Sequence, residues 1–460
     1  MTFWFVLFTD KGGSDKLALG TEALALRTQR GIAIDSLDYA VCPLYVESLR
    51  QKGARVCHTT RWLNGATIEA TLDVASAIQN LPFVKSIEAS RFTDDGNIEA
   101  PQKRLHERLF DETPDFREQL ELFNLHRLHE LGYRGQGITM AVIDGGFANL
   151  QTLTVFDSIR KNGQLLGEYD FAEDETPFSG TEAAEHGSMC LGLIAGNRED
   201  YQGAANQAKF YAMRSEEVGN ESPKEPDNWV AAVEKCDSLG VWIVSTSLGY
   251  SQFDYQEWNY TYNHLDGKTY RASRAATIAA RKGMLLCTAA GNSATTDWPW
   301  INVPADADST LTVGAVGKDS ILTYFSSIGP TADGRIKPDV LALGFGATII
   351  NPATDELRSG NGTSFATPLL AGFAACLWSA YPTETNMQIR ERIIRSAHMA
   401  DEADGNYGYG IPDAWKAYSG QTAIQETLER GTTDAKKVLL DGHIIIERDG
   451  ERYTLTGQKL

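Results

Sequence analysis

Past residue 130 the chain reads as short, unbroken apolar runs separated by helical stretches. Residues 138–143, 208–213, 241–245, 284–288 and 310–316 are runs dominated by Ile, Val, Leu, Met and Ala, with no strict polar alternation. Strands of that kind are buried on both faces, which predicts a mainly parallel sheet flanked by helices, a doubly wound α/β domain over residues 121–419. The first 95 residues have a different rhythm. An aromatic strand at 3–8 precedes helical stretches at 17–30 and 43–52, a strand at 54–57, the segment 63–70, a helix at 72–80 and a strand at 84–87. Two helices on one antiparallel sheet is the economical assembly, a small α+β domain over 1–95. Residues 96–120 are polar and mixed in charge, as a linker would be. In 420–460 the turn dipeptides Asp441-Gly442 and Asp449-Gly450 separate three short β-prone runs, which predicts a β-rich tail folded as a meander.

Composition narrows the function classes. A chain of 460 residues with 42% apolar and 22% charged residues is globular and long enough for two or three domains. Its 42 Lys and Arg against 61 Asp and Glu give a net charge of −19, nearly all of it beyond residue 100. Such a field repels phosphate backbones and anionic lipid, so nucleic acid is excluded as the expected partner. The apolar run at 3–8 is too short to span a bilayer, lacks a basic flank and has no cleavage site, so neither a membrane span nor a signal peptide is expected in this chain. Six scattered cysteines show no metal-type spacing and read as buried free thiols.

Three segments carry candidate chemistry. Asp144 follows the run 138–143 and precedes Gly145-Gly146, so its carboxylate emerges at the carboxyl end of a parallel strand, where sites of open α/β sheets lie. A lone Asp there is as readily a turn former. His186 is followed by Gly187-Ser188 and an apolar helical run, which fixes its imidazole on the first turn of a buried helix. Ser364 follows Gly360-Asn361-Gly362-Thr363 and opens another apolar helix; the glycines allow close approach, and a helix start brings backbone N–H groups toward negative charge. A plain N-cap serine is the alternative, yet a helix start needs only one capping residue, whereas this segment spends two glycines on approach.

The order Asp, His, Ser within residues 141–145, 186–188 and 362–368 resembles the subtilisin-like serine peptidases, and the likeness extends over about 131–415. Ser188 stands where that family commonly has Thr, and Tyr250 where many members have Gly. The resemblance implies a catalytic triad of Asp144, His186 and Ser364, with Asn292 and the Ser364 backbone N–H as the oxyanion hole. It further implies that Ser247, Leu248, Gly249, Ala290 and Gly291 bind substrate, with broad endopeptidase specificity. Residues 1 to about 90 resemble the family's propeptide, which implies an N-terminal domain acting as intramolecular chaperone or inhibitor of a self-processing zymogen. Its particular stretches 8–13 and 61–64, with the terminal 453–458, look like secreted subtilases of Bacteroidetes. A secreted or cell-envelope location follows, the signal peptide being absent from this chain, with a cytoplasmic one as the alternative. Protein or peptide substrates and the N-terminal domain are the expected partners. No cofactor is expected to be required, no metal site is read, and no acidic cluster has calcium-ligand spacing. A catalytically silent peptide-binding relative and a stable zymogen that retains its N-terminal domain are the rival readings.

Overall fold

A computed structural model describes residues 2–92, 115–173, 185–217, 219, 221–420, 436–440, 443–448 and 451–453. Most of the expected linker lies outside them.

Seven strands form one wholly parallel sheet, in the spatial order Val340–Leu343, Leu311–Val316, Leu285–Ala289, Ile243–Thr246, Thr139–Asp144, Lys209–Arg214, Leu165–Asp170. Alternation along each strand explains the continuous apolar runs. Met140, Val142, Ile243 and Leu285 face one core, whereas Ala141, Ile143, Val244 and Leu286 face the other. Helices His186–Ala195 and Thr363–Ala380 cover the first face, and helices Lys224–Leu239 and Arg271–Arg281 the second. Thr363–Ala380 is long and apolar enough to cross a membrane, but its 89% burial makes it the core helix of this domain. The two edge strands escape the sequence pattern. Leu165–Asp170 carries Gly, Glu and Asp, and Val340–Leu343 has only four residues.

The first strand in the chain lies between the third and the fourth, so the direction of winding reverses between Thr139–Asp144 and Ile243–Thr246. A crevice opens outside the carboxyl ends at such a point. Asp144 and Ser247 sit at its two sides.

The N-terminal domain is a four-stranded antiparallel sheet in the order Arg55–Thr60, Gly65–Ala70, Thr2–Phe8, Val84–Phe92. Trp4, Val6, Phe8 and Ile68 pack on helices Pro43–Gln51 and Leu72–Gln79. A third helix, Thr21–Arg30, leaves this sheet and lies against Lys224–Leu239. Its buried positions, Ala23 and Arg27, explain why: a cation at the centre of a helix face must seek a carboxylate elsewhere.

That carboxylate belongs to a chain of charges between the two domains, all buried but Asp35 at its end. Glu234 and Asp237 of the larger domain hold Arg61 (Oε2 3.4 Å, Oδ2 2.6 Å), and Asp237 also holds Arg27 (2.7 Å). Arg27 reaches Asp38 (3.2 Å), which with Asp35 binds Lys282 (2.7 and 2.9 Å). Glu234 additionally accepts the backbone N–H groups of Arg61 and Trp62 at 3.0 and 3.1 Å, and the Thr60 hydroxyl. Burial pushes the Glu234 and Asp237 carboxyls up, against the pull of Arg61. The tail strands Lys436–Leu440, His443–Arg448 and Glu451–Tyr453 form the antiparallel meander expected of them.

Candidate active site

The Asp144 carboxylate is fully buried at the end of its strand. Its Oδ1 accepts the Gly145 N–H at 2.8 Å and the His186 Nδ1 proton at 2.7 Å, which sets the imidazole tautomer with Nε2 unprotonated. Gly187 is needed for that approach. A Cβ there would stand 2.3 Å from the Gly146 carbonyl oxygen and 3.0 Å from Asp144 Cβ, so only glycine lets the helix start reach the Asp144 turn. Ser188, in place of the family's usual Thr, donates to the Ala148 carbonyl at 2.7 Å and ties the helix to the same turn. Burial acts to lower the His186 pKa, but the Asp144 carboxylate outweighs it and holds the imidazole well above the ordinary histidine value. The Cys190 thiol, 3.7 Å from His186 Nδ1, is itself kept protonated by burial, so Asp144 carries the shift.

Ser364 occupies the first turn of its helix, after Gly362 at φ 155°, a conformation that disfavours any side chain. Four residues on, Pro368 lacks the N–H that would bond the Ser364 carbonyl. That carbonyl instead accepts from Ser247 Oγ at 2.8 Å and from the Cys190 thiol at 3.4 Å, clamping the helix start across the crevice. The Ser364 hydroxyl donates to the Ser247 carbonyl at 3.3 Å, and no hydrogen bond joins it to His186. Loose nucleophile geometry of this kind is common before substrate binds.

Asn292 is exposed at the crevice. Its Oδ1 accepts both the backbone N–H and the hydroxyl of Thr363, each at 2.9 Å, while Nδ2, beside Gly362, has no hydrogen-bond partner among the described residues. The Asx-turn alternative, in which Asn292 would bond its own following backbone, is not what forms. Thr363 is the residue that motif reading passed over: its hydroxyl also accepts the Gly291 N–H at 3.3 Å, so one side chain ties the Ala290-Gly291-Asn292 segment to the Ser364 helix. Ser247, Leu248 and Gly249 continue one central strand, and Ala290 and Gly291 continue its neighbour, so these expected binding residues flank the notch beside Ser364. Tyr250 turns away from the notch and donates to buried Glu216 at 2.8 Å.

Among the described residues, Asp144, His186 and Cys190 form the one cluster of three groups that could ligate a metal, with ligand atoms within 4.8 Å of one another. Its carboxylate and imidazole are committed to each other, so we assign no metal there. All six cysteines are free, five of them buried.

Residues 135–410 match the Subtilase family, peptidase S8, and residues 3–106 match the peptidase S8 propeptide domain of Bacteroidota. Subtilisin NAT of Bacillus subtilis subsp. natto is 29% identical over 277 residues, covering 59% of this chain and 63% of that protein, less than two thirds of its length. Serine protease AprX of Bacillus subtilis is 27% identical over 320 residues, 62% of this chain and 67% of that protein. MycP1 from the ESX-1 type VII secretion system shares the fold, with a TM-score of 0.52 at 19% identity over 69% of this chain and 90% of that one. With the family match spanning more than half of the chain, the protein belongs to the subtilase family of S8 peptidases.

Proposed function

We propose that this protein is a serine endopeptidase made as a self-processing zymogen and exported to the cell envelope or beyond. The observation that carries the reading is the convergence of Ser364, the Asp144–His186 pair and the free amide of Asn292 on one crevice. In the reaction His186 Nε2 takes the Ser364 proton as the hydroxyl attacks the scissile carbonyl, and returns it to the leaving amine. Asp144 stabilises the imidazolium without taking the proton. The oxyanion is received by the Ser364 backbone N–H, which has no helical partner in the first turn, and by Asn292 Nδ2. Water then hydrolyses the acyl-enzyme by the same proton path. No step calls on a metal or organic cofactor. A fluorophosphonate probe tests the reading: covalent labelling of Ser364 is expected, and its failure on processed protein would refute an activated serine.

Two further outcomes follow from the geometry. The acid limb of kcat/KM should lie above the unperturbed histidine value of about 6.5, because His186 must be neutral to act and Asp144 holds it protonated to higher pH. A limb below that value would contradict the pairing. Asn292→Ala should lower kcat by about two to three orders of magnitude with little change in KM, the size known for removing the corresponding donor in a subtilisin. Normal kcat with a lowered Tm would instead make Asn292 a structural tie of Thr363.

The buried charges between the domains favour a second feature of the zymogen. After cleavage the N-terminal domain remains bound as an inhibitor until something removes it, because Arg27 and Arg61 lose well-formed partners on leaving.

A further inference from the structure

The notch beside Ser364 lies between two segments, 247–249 and 290–291, each of which ends in glycine. A third segment closes it. Tyr250 and Val303 exchange both backbone hydrogen bonds (2.8 and 3.0 Å), and the Asn302 N–H donates to the Ala290 carbonyl at 3.0 Å, so Asn302 is strapped to both walls at once. Its side chain fills the space between them. A Cβ on Gly249 would stand 2.6 Å from Asn302 Cβ, and one on Gly291 would stand 2.8 Å from Asn302 Nδ2. The Asn302 side chain thus leaves no room for a Cβ at Gly249, and with Ser327 Oγ, also 2.8 Å away, none at Gly291, whose φ of 114° itself favours glycine.

That carboxamide has no hydrogen-bond partner among the described residues. Asn302 Oδ1 is a buried acceptor without a donor, and Nδ2 makes no hydrogen bond to a described residue. Leaving such a group unsatisfied is costly, and a ligand atom that pairs with it recovers the cost. The flanking residues Ser247, Leu248, Gly249, Ala290 and Gly291 carry no ionisable side chain.

We infer that Asn302 is the specificity-determining floor of the pocket for the residue whose carbonyl Ser364 attacks, and that it selects short, uncharged side chains with a hydrogen-bonding end, Asn, Thr or Ser, over large aromatic ones. The inference rests on the peptidase reading above. With the scissile carbonyl carbon at Ser364 Oγ and its oxygen turned to Asn292, the notch flanked by Gly249 and Gly291 is the opening adjacent to the attacked residue. Depth there is set by Asn302, whose bulk replaces the room an aromatic ring needs. Chemistry is set by the same amide, which pairs with a hydroxyl or a second carboxamide and is left stranded beneath a hydrocarbon. A site holding an unpaired polar group discriminates more sharply than an apolar one of equal size.

The test is kcat/KM of the processed protein on peptide p-nitroanilides that differ only in the residue before the scissile bond, with Asn, Thr, Leu, Phe and Lys in turn. Wild type should favour Asn and Thr over Phe by about tenfold or more, the worth of one satisfied buried hydrogen bond together with the excluded ring. Asn302→Gly should invert that ratio by raising the Phe substrate. Asn302→Asp keeps the shape, so it guards against a glycine variant that fails to fold, and it should raise the Lys substrate above Asn. A wild-type preference for Phe, or variants that keep the wild-type ratios, would overturn the assignment. Fluorophosphonate labelling of each form separates the causes. Normal labelling with unchanged ratios removes Asn302 alone, whereas no labelling and no turnover in wild type removes the peptidase reading and the pocket with it.

Discussion

Ser364→Ala should lower peptide hydrolysis by about a millionfold, the size seen for loss of the nucleophile in a subtilisin, while thermal unfolding stays near that of wild type. The fold should tolerate the change because the clamp on this helix start uses the Ser364 carbonyl, held by Ser247 and Cys190, and not its hydroxyl. His186→Ala should cost a similar factor, since nucleophile and base act as one unit. The same variant reports on processing. Wild-type protein should cleave itself between residues 90 and 118, whereas Ser364→Ala should keep its full 50.4 kDa on prolonged incubation. Intact mass and N-terminal sequencing of the two forms decide the matter. Equal turnover in both, or identical processing without added protease, would remove Ser364 from the mechanism.

Arg61→Ala, made in the Ser364→Ala background so that the chain stays whole, should destabilise the docked N-terminal domain by about 3–5 kcal/mol. Arg61 is 6% exposed and faces Glu234 and Asp237, which are 6% and 2% exposed. Removing the cation leaves Asp237 with Arg27 alone and Glu234 with hydrogen bonds but no cation, although burial already pushes both carboxyls toward the protonated form. Breaking an exposed pair such as Arg395–Glu391 should leave stability near that of the parent, and Arg395→Ala serves as the control. The measurement is urea unfolding together with release of the N-terminal domain by a trace of added protease. Equal behaviour of the two variants would show that the buried charges do not hold the domains together.

Much of the candidate site is legible in the chain because its parts lie at the ends of local elements. Asp144 ends an apolar run, His186 opens one, and Ser364 opens another after two glycines that allow close approach, so strand and helix periodicity place all three at element ends. Gly362 answers a backbone conformation within its own segment, whereas Gly187 answers an approach to the Asp144 turn some forty residues away that only the tertiary structure shows. Helical spacing also carries a signal that motif reading missed: Cys190 lies one turn after His186 and touches its ring nitrogen. The edge strand Leu165–Asp170 leaves no such signal, because one of its sides is open and its residues are correspondingly mixed.

Sequence alone determined the parallel core, the small antiparallel N-terminal sheet that precedes it and the order of the three segments proposed as catalytic. Those depend on periodicities of two to four residues and on motifs a few residues long. Tertiary structure alone decided what meets across long separations. Arg27 and Arg61 find Asp237 across 210 and 176 positions, Thr363 fixes the Asn292 amide across 71, and Asn302 fills the space beside Gly249. No local pattern marks such pairs, because an arginine on a helix face or an asparagine in a loop is equally stable in water. The switch in strand order brings Asp144, Ser247, Asn292 and Ser364 to one crevice, and burial then gives each polar contact an energy it would not have on the surface.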